Sequence, residues 1–473
     1  MKPFRLASAL LLAAAAPLAA QQSATAPTPA QQADWRETWA YNLGMQAVVY
    51  GYPVVKNIIV RYGMIEKPVG QANMPISTWF HSRRAQDHTD KLHSSVTSDL
   101  LYSAAWYDLH KEPLVLSVPD DGGAYYSIQF MEMYSDIFAY IGTRETGGKA
   151  GSWLLVGPDW KGEAPAGISG VIRSPTPTGM LLLRVGFADR AQLKATHALQ
   201  DANALAPLSK WLSGDKSPET GRDVINPAAP GSSVLPFFAS LNRGLTENPP
   251  PAAHAALMAQ FATVGIGPGM GDDFSTLDPA TLKGLQRAMV DGLGFLRQVS
   301  VAGGNTKIVN HWAYGQPNWG RTAQTNDFLT RSANQSFSGM QEHWVDEVTK
   351  LRAHHDGDGA LLDGSAARYT VHFTREQIPQ AKAFWSVTVY NSEYDLVENP
   401  LGRFSLGSVD KALKYDRDGG LTFYLQADAP AKKLMANWLP VPRGPFNLFL
   451  RAYLPGQSLI EQSYAPPIVK RVP

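Results

Sequence analysis

The chemically densest stretch of the chain is Ser98-Asp-Leu-Leu-Tyr-Ser-Ala-Ala-Trp-Tyr-Asp108, where carboxylates, phenols and an indole share one short run. Asp99 is the candidate general acid or base, assisted by Tyr102 and His81, because proton transfer needs such groups within hydrogen-bond reach of a substrate. Read as a helix, the run puts Asp99 and Tyr102 on one face at i, i+3, and Arg83, Arg84 and Arg144 are at hand to offset the carboxylate. Arg144 and Arg451 are candidates for holding an anionic group. Trp106, Tyr126, Trp385 and Tyr390 offer flat rings on which a ligand could stack. A plainer account of the same run makes Asp99 a cap and Tyr102 and Trp106 core.

Other catalytic patterns fail on spacing. In GIGPGMG at 265–271 the position where a dinucleotide loop needs its last Gly holds Met270, and a helix precedes the run, so these glycines read as a helix end and turn. His81, His88 and His93 are seven and five apart, which suits neither a helical nor a strand pair of metal ligands. His354-His355-Asp356-Gly-Asp358 lacks the later ligands of a calcium loop and reads as a solvated loop. Ser213-Gly-Asp-Lys216 has a serine–lysine spacing but lies in a polar turn. With no Cys in the chain there is no disulfide, thiolate nucleophile or Cys-ligated metal. No metal and no cofactor is expected.

The elements that must position these residues fall into three texture zones. Apolar spacing from Trp35 to Asn57 predicts an amphipathic helix, interrupted at Gly51-Tyr52-Pro53 and resuming to about Tyr62. From Pro113 come short β-rich runs at 114–118, 125–134, 152–157 and 179–187, each flanked by turn residues. Helical spacing returns at Asp189–Leu212, Ala252–Thr263 and Pro279–Ser300, and from about Tyr369 the chain is again β. The expected class is α+β: two mainly antiparallel β-sandwich, jelly-roll-like units bridged by a helical middle segment. The corresponding boundaries are 1–20, a signal peptide; 21–33, a flexible leader; 34–188, a helix plus β domain; 189–345, a mainly helical connection; and 346–473, a C-terminal β-sandwich.

Composition narrows the partners. The 473 residues are 44% hydrophobic and 18% charged, with Lys plus Arg at 42 against Asp plus Glu at 41. That balance suits a globular chain and offers no basic surplus for nucleic acid. Lys2 and Arg5 precede an apolar run, Leu6 to Ala16, and small residues follow Pro17, the pattern of a cleaved secretory signal. The mature protein is therefore expected in the periplasm or outside the cell, without membrane insertion, since no other stretch reads as a span. Its expected partner is a small molecule, and a homo-oligomer remains open.

Several blocks along the chain resemble a bacterial family: Asp99 to Asp108 with Glu112-Pro-Leu-Val, Ile141-Gly-Thr-Arg144-Glu-Thr-Gly, Leu155-Val-Gly-Pro-Asp-Trp160, Phe384-Trp-Ser-Val-Thr388 with Tyr390, Asn437-Trp-Leu-Pro-Val-Pro442, and Leu450-Arg-Ala-Tyr453 with Pro455. They are similar to proteins pairing domain of unknown function 1254 on the N-terminal side with domain of unknown function 1214 on the C-terminal side. The resemblance implies two β-rich domains bridged by helices, and no established activity. Family members commonly carry Asn, Thr and Arg where this chain has Thr97, Leu100 and Ala124. The preferred expectation is an exported small-molecule enzyme of hydrolase or lyase type, using a cleft between the β domains. The alternative is a non-catalytic ligand-binding or assembly module of the cell envelope.

Overall fold

The structure is a computed structural model that describes residues 29–66, 75–91, 95–187, 193–219, 224–228, 234–302, 306–337 and 339–472. The expected signal peptide at 1–20, the part of the expected leader up to residue 28, and His93 lie outside the described residues.

The first β unit is a sandwich of two sheets. Strands β1 (Phe80–His81), β2 (Leu100–Asp108), β8 (Thr178–Gly186), β4 (Tyr126–Glu132) and β5 (Ile137–Gly142) form one sheet in the order β1-β2-β8-β4-β5. Strands β7 (Gly170–Arg173), β6 (Gly151–Val156), β3 (Leu114–Val118) and β9 (Ala204–Pro207) form the other. Tyr107, Leu116, Ile128, Phe130, Leu155 and Leu183 fill the space between them. The run from Leu100 to Asp108 is thus a strand, not a helix, paired with β8 at every position from Leu100↔Gly186 to Asp108↔Thr178. Both of its faces are covered, so its apolar residues lack the alternation by which a half-buried strand declares itself.

The second unit repeats the plan. Strands β10 (Ile308–Val309), β11 (Trp312–Tyr314), β12 (Val348–Ala353), β18 (Phe446–Pro455), β14 (Ala381–Asn391) and β15 (Ser405–Gly407) form a sheet in that order. It packs on the sheet β17-β16-β13-β19, made of Trp438–Pro440, Leu421–Gln426, Arg368–Phe373 and Val469–Val472. Trp312, Leu351, Val371, Val387, Phe423 and Leu450 lie in its core. The α+β class and the pair of mainly antiparallel units therefore hold. The helical middle is narrower than 189–345, because β9 joins the first unit and β10 and β11 join the second. In Ala204-Leu-Ala-Pro207, helix-favouring residues form a strand because pairing with β3 buries Leu205 against Leu116, a tertiary gain that outweighs propensity.

Apart from the short α2 (Leu193–Asp201) and α3 (Leu208–Leu212), which lie against strands of the first unit, the helical layer centres on α1 (Pro29–Ile65), packed on α4 (Pro236–Glu247), α5 (Ala255–Ala262) and α6 (Pro279–Ala302). Helix α1 thus begins at Pro29, inside the stretch 21–33 expected to be a flexible leader. By length and mean hydropathy, 1.2 over its best window, α1 meets the description of a membrane span, contrary to the expectation that nothing beyond the signal would. That window is 61% buried, and its apolar side chains pack on neighbouring helices. Small residues let α6 approach: a Cβ on Gly284 would stand 2.4 Å from the Glu37 carbonyl oxygen.

Helix α1 also runs through Pro53, where an interruption was expected. Proline has no N–H for the Val49 carbonyl four residues earlier. The Ser332 hydroxyl donates to that carbonyl instead, and Arg331 Nη2 donates to the Tyr50 carbonyl at 3.2 Å. Both come from a π-helical turn, Thr330–Phe337.

Candidate active-site chamber

Side chains alternate across a strand, so each inner sheet presents its second face to the rest of the molecule. On β2, β4 and β8 that face carries Tyr102, Gln129 and Arg184; on β12, β14 and β18 it carries Lys350, Tyr390 and Arg451. The two faces meet. Leu100 and Tyr125 of the first unit pack on Val348, Phe384 and Tyr453 of the second, with Phe384 and Tyr453 stacked at 4.1 Å between ring centres. Beside this apolar seam the interface is polar.

Asp99, 3% exposed, ties the units together. Its carboxylate accepts from Thr97 Oγ1 at 2.7 Å, from Ser386 Oγ at 2.6 Å and from the Ser405 hydroxyl, the last two on the facing sheet. Thr97 also donates its backbone N–H to the Tyr102 hydroxyl at 3.4 Å. The arginines expected to neutralise Asp99 go elsewhere: Arg83 to Asp201, Arg84 to Asp87 and Asp90, and Arg144 to Glu145, Asp346 and Glu347. Arg144 Nε donates to Glu347 at 2.6 Å, and Tyr125 donates to the other oxygen of the same carboxylate at 2.8 Å. Burial holds Glu347 above the usual carboxylate range, while Arg144 pulls the other way.

Next to this clip lies a cluster of cations. Lys350 stands directly opposite Arg451 in the antiparallel pair β12–β18, an arrangement of like charges that costs stability by itself. Glu342 offsets Lys350 at 2.7 Å. Burial, with Arg451 and Arg352 nearby, still lowers the amine to about 8. His343 is kept neutral, held well below its ordinary value by burial first and then by Arg184, Lys350, Arg144 and Arg451. Lys350 lies deep among protein atoms, with 13% of its side chain still exposed. The segment before β12 lies against this cluster, the Gln341 carbonyl accepting from Arg184 and the Glu342 carbonyl from Gln129. Both amide atoms of Gln341, Nε2 of His343 and Nη2 of Arg144 are buried with no partner in the protein.

Of the residues expected to act, the interface gathers Asp99, Tyr102, Tyr390 and Arg451, with Arg144 at its edge through Glu347. It separates the others. His81 bonds Ser103 Oγ at 2.7 Å on the opposite face of the β2 sheet from Tyr102, and burial lowers it to about 4. Tyr126 lies in the first sandwich core, donating to Asn203, and Trp385 lies in the second. Trp106 shares the Tyr102 face but packs on the helices, its indole N–H 3.4 Å from Met64 Sδ. Asp356 is buried, not solvated, its Oδ1 accepting from the Asp358 and Ala360 backbones. Sequence reasoning missed Arg184, Gln341, His343 and Lys350. Basic residues two apart in Val348-Thr-Lys-Leu-Arg-Ala353 were a legible sign of a charged sheet face; Gln341 and His343 gave none.

Two family models match the chain. The protein of unknown function DUF1254 is matched over residues 76–207, and DUF1214 over 347–457. The chain thus carries one segment similar to each domain, DUF1254 on the N-terminal side and DUF1214 on the C-terminal side. The DUF1254 segment supplies Asp99, Tyr102, Arg144 and Arg184, the DUF1214 segment supplies Lys350, Tyr390 and Arg451, and Gln341 and His343 precede the latter. The crystal structure of the VPA0106 protein from Vibrio parahaemolyticus has a TM-score of 0.68 at 23% identity, covering 92% of this chain and 100% of that one, a likeness of fold. An uncharacterised protein from Burkholderia cenocepacia aligns at a TM-score of 0.42 and 13% identity, covering 93% of this chain and 95% of that one. No curated protein matches the chain.

Proposed function

We propose that the protein is an exported enzyme acting on a small molecule by acid–base chemistry, of hydrolase or lyase type, in the chamber between the DUF1254 and DUF1214 units. One observation carries this reading: buried polar atoms of Gln341 and His343 without protein partners lie in the same interface as an amine lowered to about 8. Unpaired buried polar groups are rare in packed interfaces, and a titratable group near neutrality is what proton transfer requires. In this reading Lys350 exchanges a proton with the substrate, the neutral His343 and Tyr102 help to hold it, and Asp99 secures the two walls.

A second reading, binding without turnover, is favoured by the pairing of Lys350 with Glu342 and by the use of Asp99, the base expected from the sequence, in hydrogen bonds to hydroxyls. Thermal denaturation of the mature protein with a panel of small acids, amides, alcohols and sugars, followed by NMR of each binder after incubation, separates the two. Consumption of a binder, abolished in Lys350→Met, supports the enzyme; a binder left intact supports the binding module. No shift with any class would retire the chamber as a site.

A further inference from the structure

We propose that the chamber selects a small organic carboxylate, gripped between Arg184 of the first unit and Arg451 of the second. This rests on the chamber being a ligand site and adds the class of ligand. Arg184 is 6% exposed and Arg451 5%. Neither forms an ion pair among the described residues, although the neighbouring Arg144 and Arg321 both do. Their hydrogen bonds go to neutral acceptors. Arg184 donates to Gln129 Oε1 at 2.7 Å and to the Gln341 carbonyl at 3.2 Å; Arg451 donates to the Ser95 carbonyl at 2.7 Å and to Thr388 Oγ1 at 3.4 Å.

A guanidinium taken out of water without a counter-charge is costly, and here the cost is raised by setting Arg451 against Lys350 across the strand pair. Glu342 serves Lys350 and Glu347 serves Arg144, so no ion pair among the described residues reaches Arg184 or Arg451, and a guest anion would balance the positive field that converges on His343. The surrounding groups favour a carboxylate with an organic body over an inorganic ion. The amide of Gln341 has a donor to spare, suited to a carboxylate oxygen. Rings then flank the cations, Tyr102 beneath Arg184 at 5.7 Å and Tyr390 and Phe449 beside Arg451 at 5.5 and 5.0 Å, supplying flat apolar walls.

The test uses matched probes, benzoate against benzamide and butyrate against butyramide, with inorganic phosphate as a further arm, read by thermal shift on the full mature chain at low and high salt. The carboxylates are expected to raise the midpoint, less at high salt, and the amides to leave it unchanged. Arg451→Gln and Arg184→Gln should each weaken the carboxylate response by about tenfold or more. Because either variant could fold poorly, Gln341→Glu provides an independent reading: a carboxylate built into the chamber should raise the midpoint of the ligand-free protein and suppress the response to benzoate and butyrate. Absence of any carboxylate response overturns the proposal, as does destabilisation by Gln341→Glu equal to that by Gln341→Leu. A response to the amides or to phosphate alone defeats the carboxylate claim while leaving the chamber a ligand site, whereas silence from every probe removes both.

Discussion

Asp99 stands out in the sequence as a catalyst and in the structure as a fastener. Its three hydroxyl donors come from both units, so Asp99→Asn is expected to lower stability by about 1 to 3 kcal/mol, the worth of hydrogen bonds to a charged group, while sparing ligand binding. Chemical denaturation beside a binding titration checks this; a fold of unchanged stability with lost binding would restore Asp99 as a functional carboxylate. Glu132 is the residue whose charge should matter most for pH. Burial, and then the Asp136 carboxylate, push it well above its ordinary 4.5. The folded state therefore keeps a proton that the unfolded chain releases, and stability contributed by Glu132 is full below about pH 4.5 and is lost as pH rises through the raised value. Glu132→Gln, which mimics the protonated form, should abolish that decline in urea titrations between about pH 5 and about pH 8. Parallel pH profiles for the two proteins would show that Glu132 ionises normally.

At the scale of elements, the passage of α1 through Pro53 is the feature that depends most on a distant segment. The Ser332 hydroxyl answers the Val49 carbonyl left without an intrahelical donor, so Ser332→Ala is expected to cost about 1 to 3 kcal/mol. Pro53→Ala restores an N–H at the right place. In the Ser332→Ala background it should recover part of that loss, and a double-mutant cycle measures the coupling. Additive effects would mean that the hydroxyl and the proline are unrelated. Strand β2 teaches the converse lesson. Its aromatic residues suited a helix by spacing, but nine successive partners on β8 settle its conformation, and that in turn sends His81 and Tyr102 to opposite faces.

On the scale of the whole molecule, the two sandwiches stand on aromatic cores without any covalent staple. Trp385 and Trp438, 3% and 1% exposed, anchor the second unit, the latter donating its indole N–H to the Gln426 carbonyl at 2.9 Å. Truncating either to Ala should cost about 3 to 5 kcal/mol in denaturant unfolding. A loss under about 1 kcal/mol would place the ring at the surface. Export is a separate expectation from the charged start and apolar run of residues 2–16: mass spectrometry of the secreted protein should find a mature terminus near Gln21, and a soluble pool retaining Met1 would refute it.

What the sequence by itself determined is what local chemistry and period determine: the zones of helix and strand, the pair of β units recognisable from their residue blocks, and the lack of any thiol chemistry. Asp99, Tyr102, Tyr390 and Arg451 were legible only as four among nine candidates, because charged and phenolic residues inside apolar runs demand a reason but do not say which of them meet. Only the tertiary structure decided which of them face one another. The proposed site lies where the outer faces of two sheets, far apart in the chain, are brought together, and no local period encodes that pairing. The same holds for Gln341 and His343, ordinary in sequence, whose buried polar atoms become conspicuous once folding removes both water and protein partners from them.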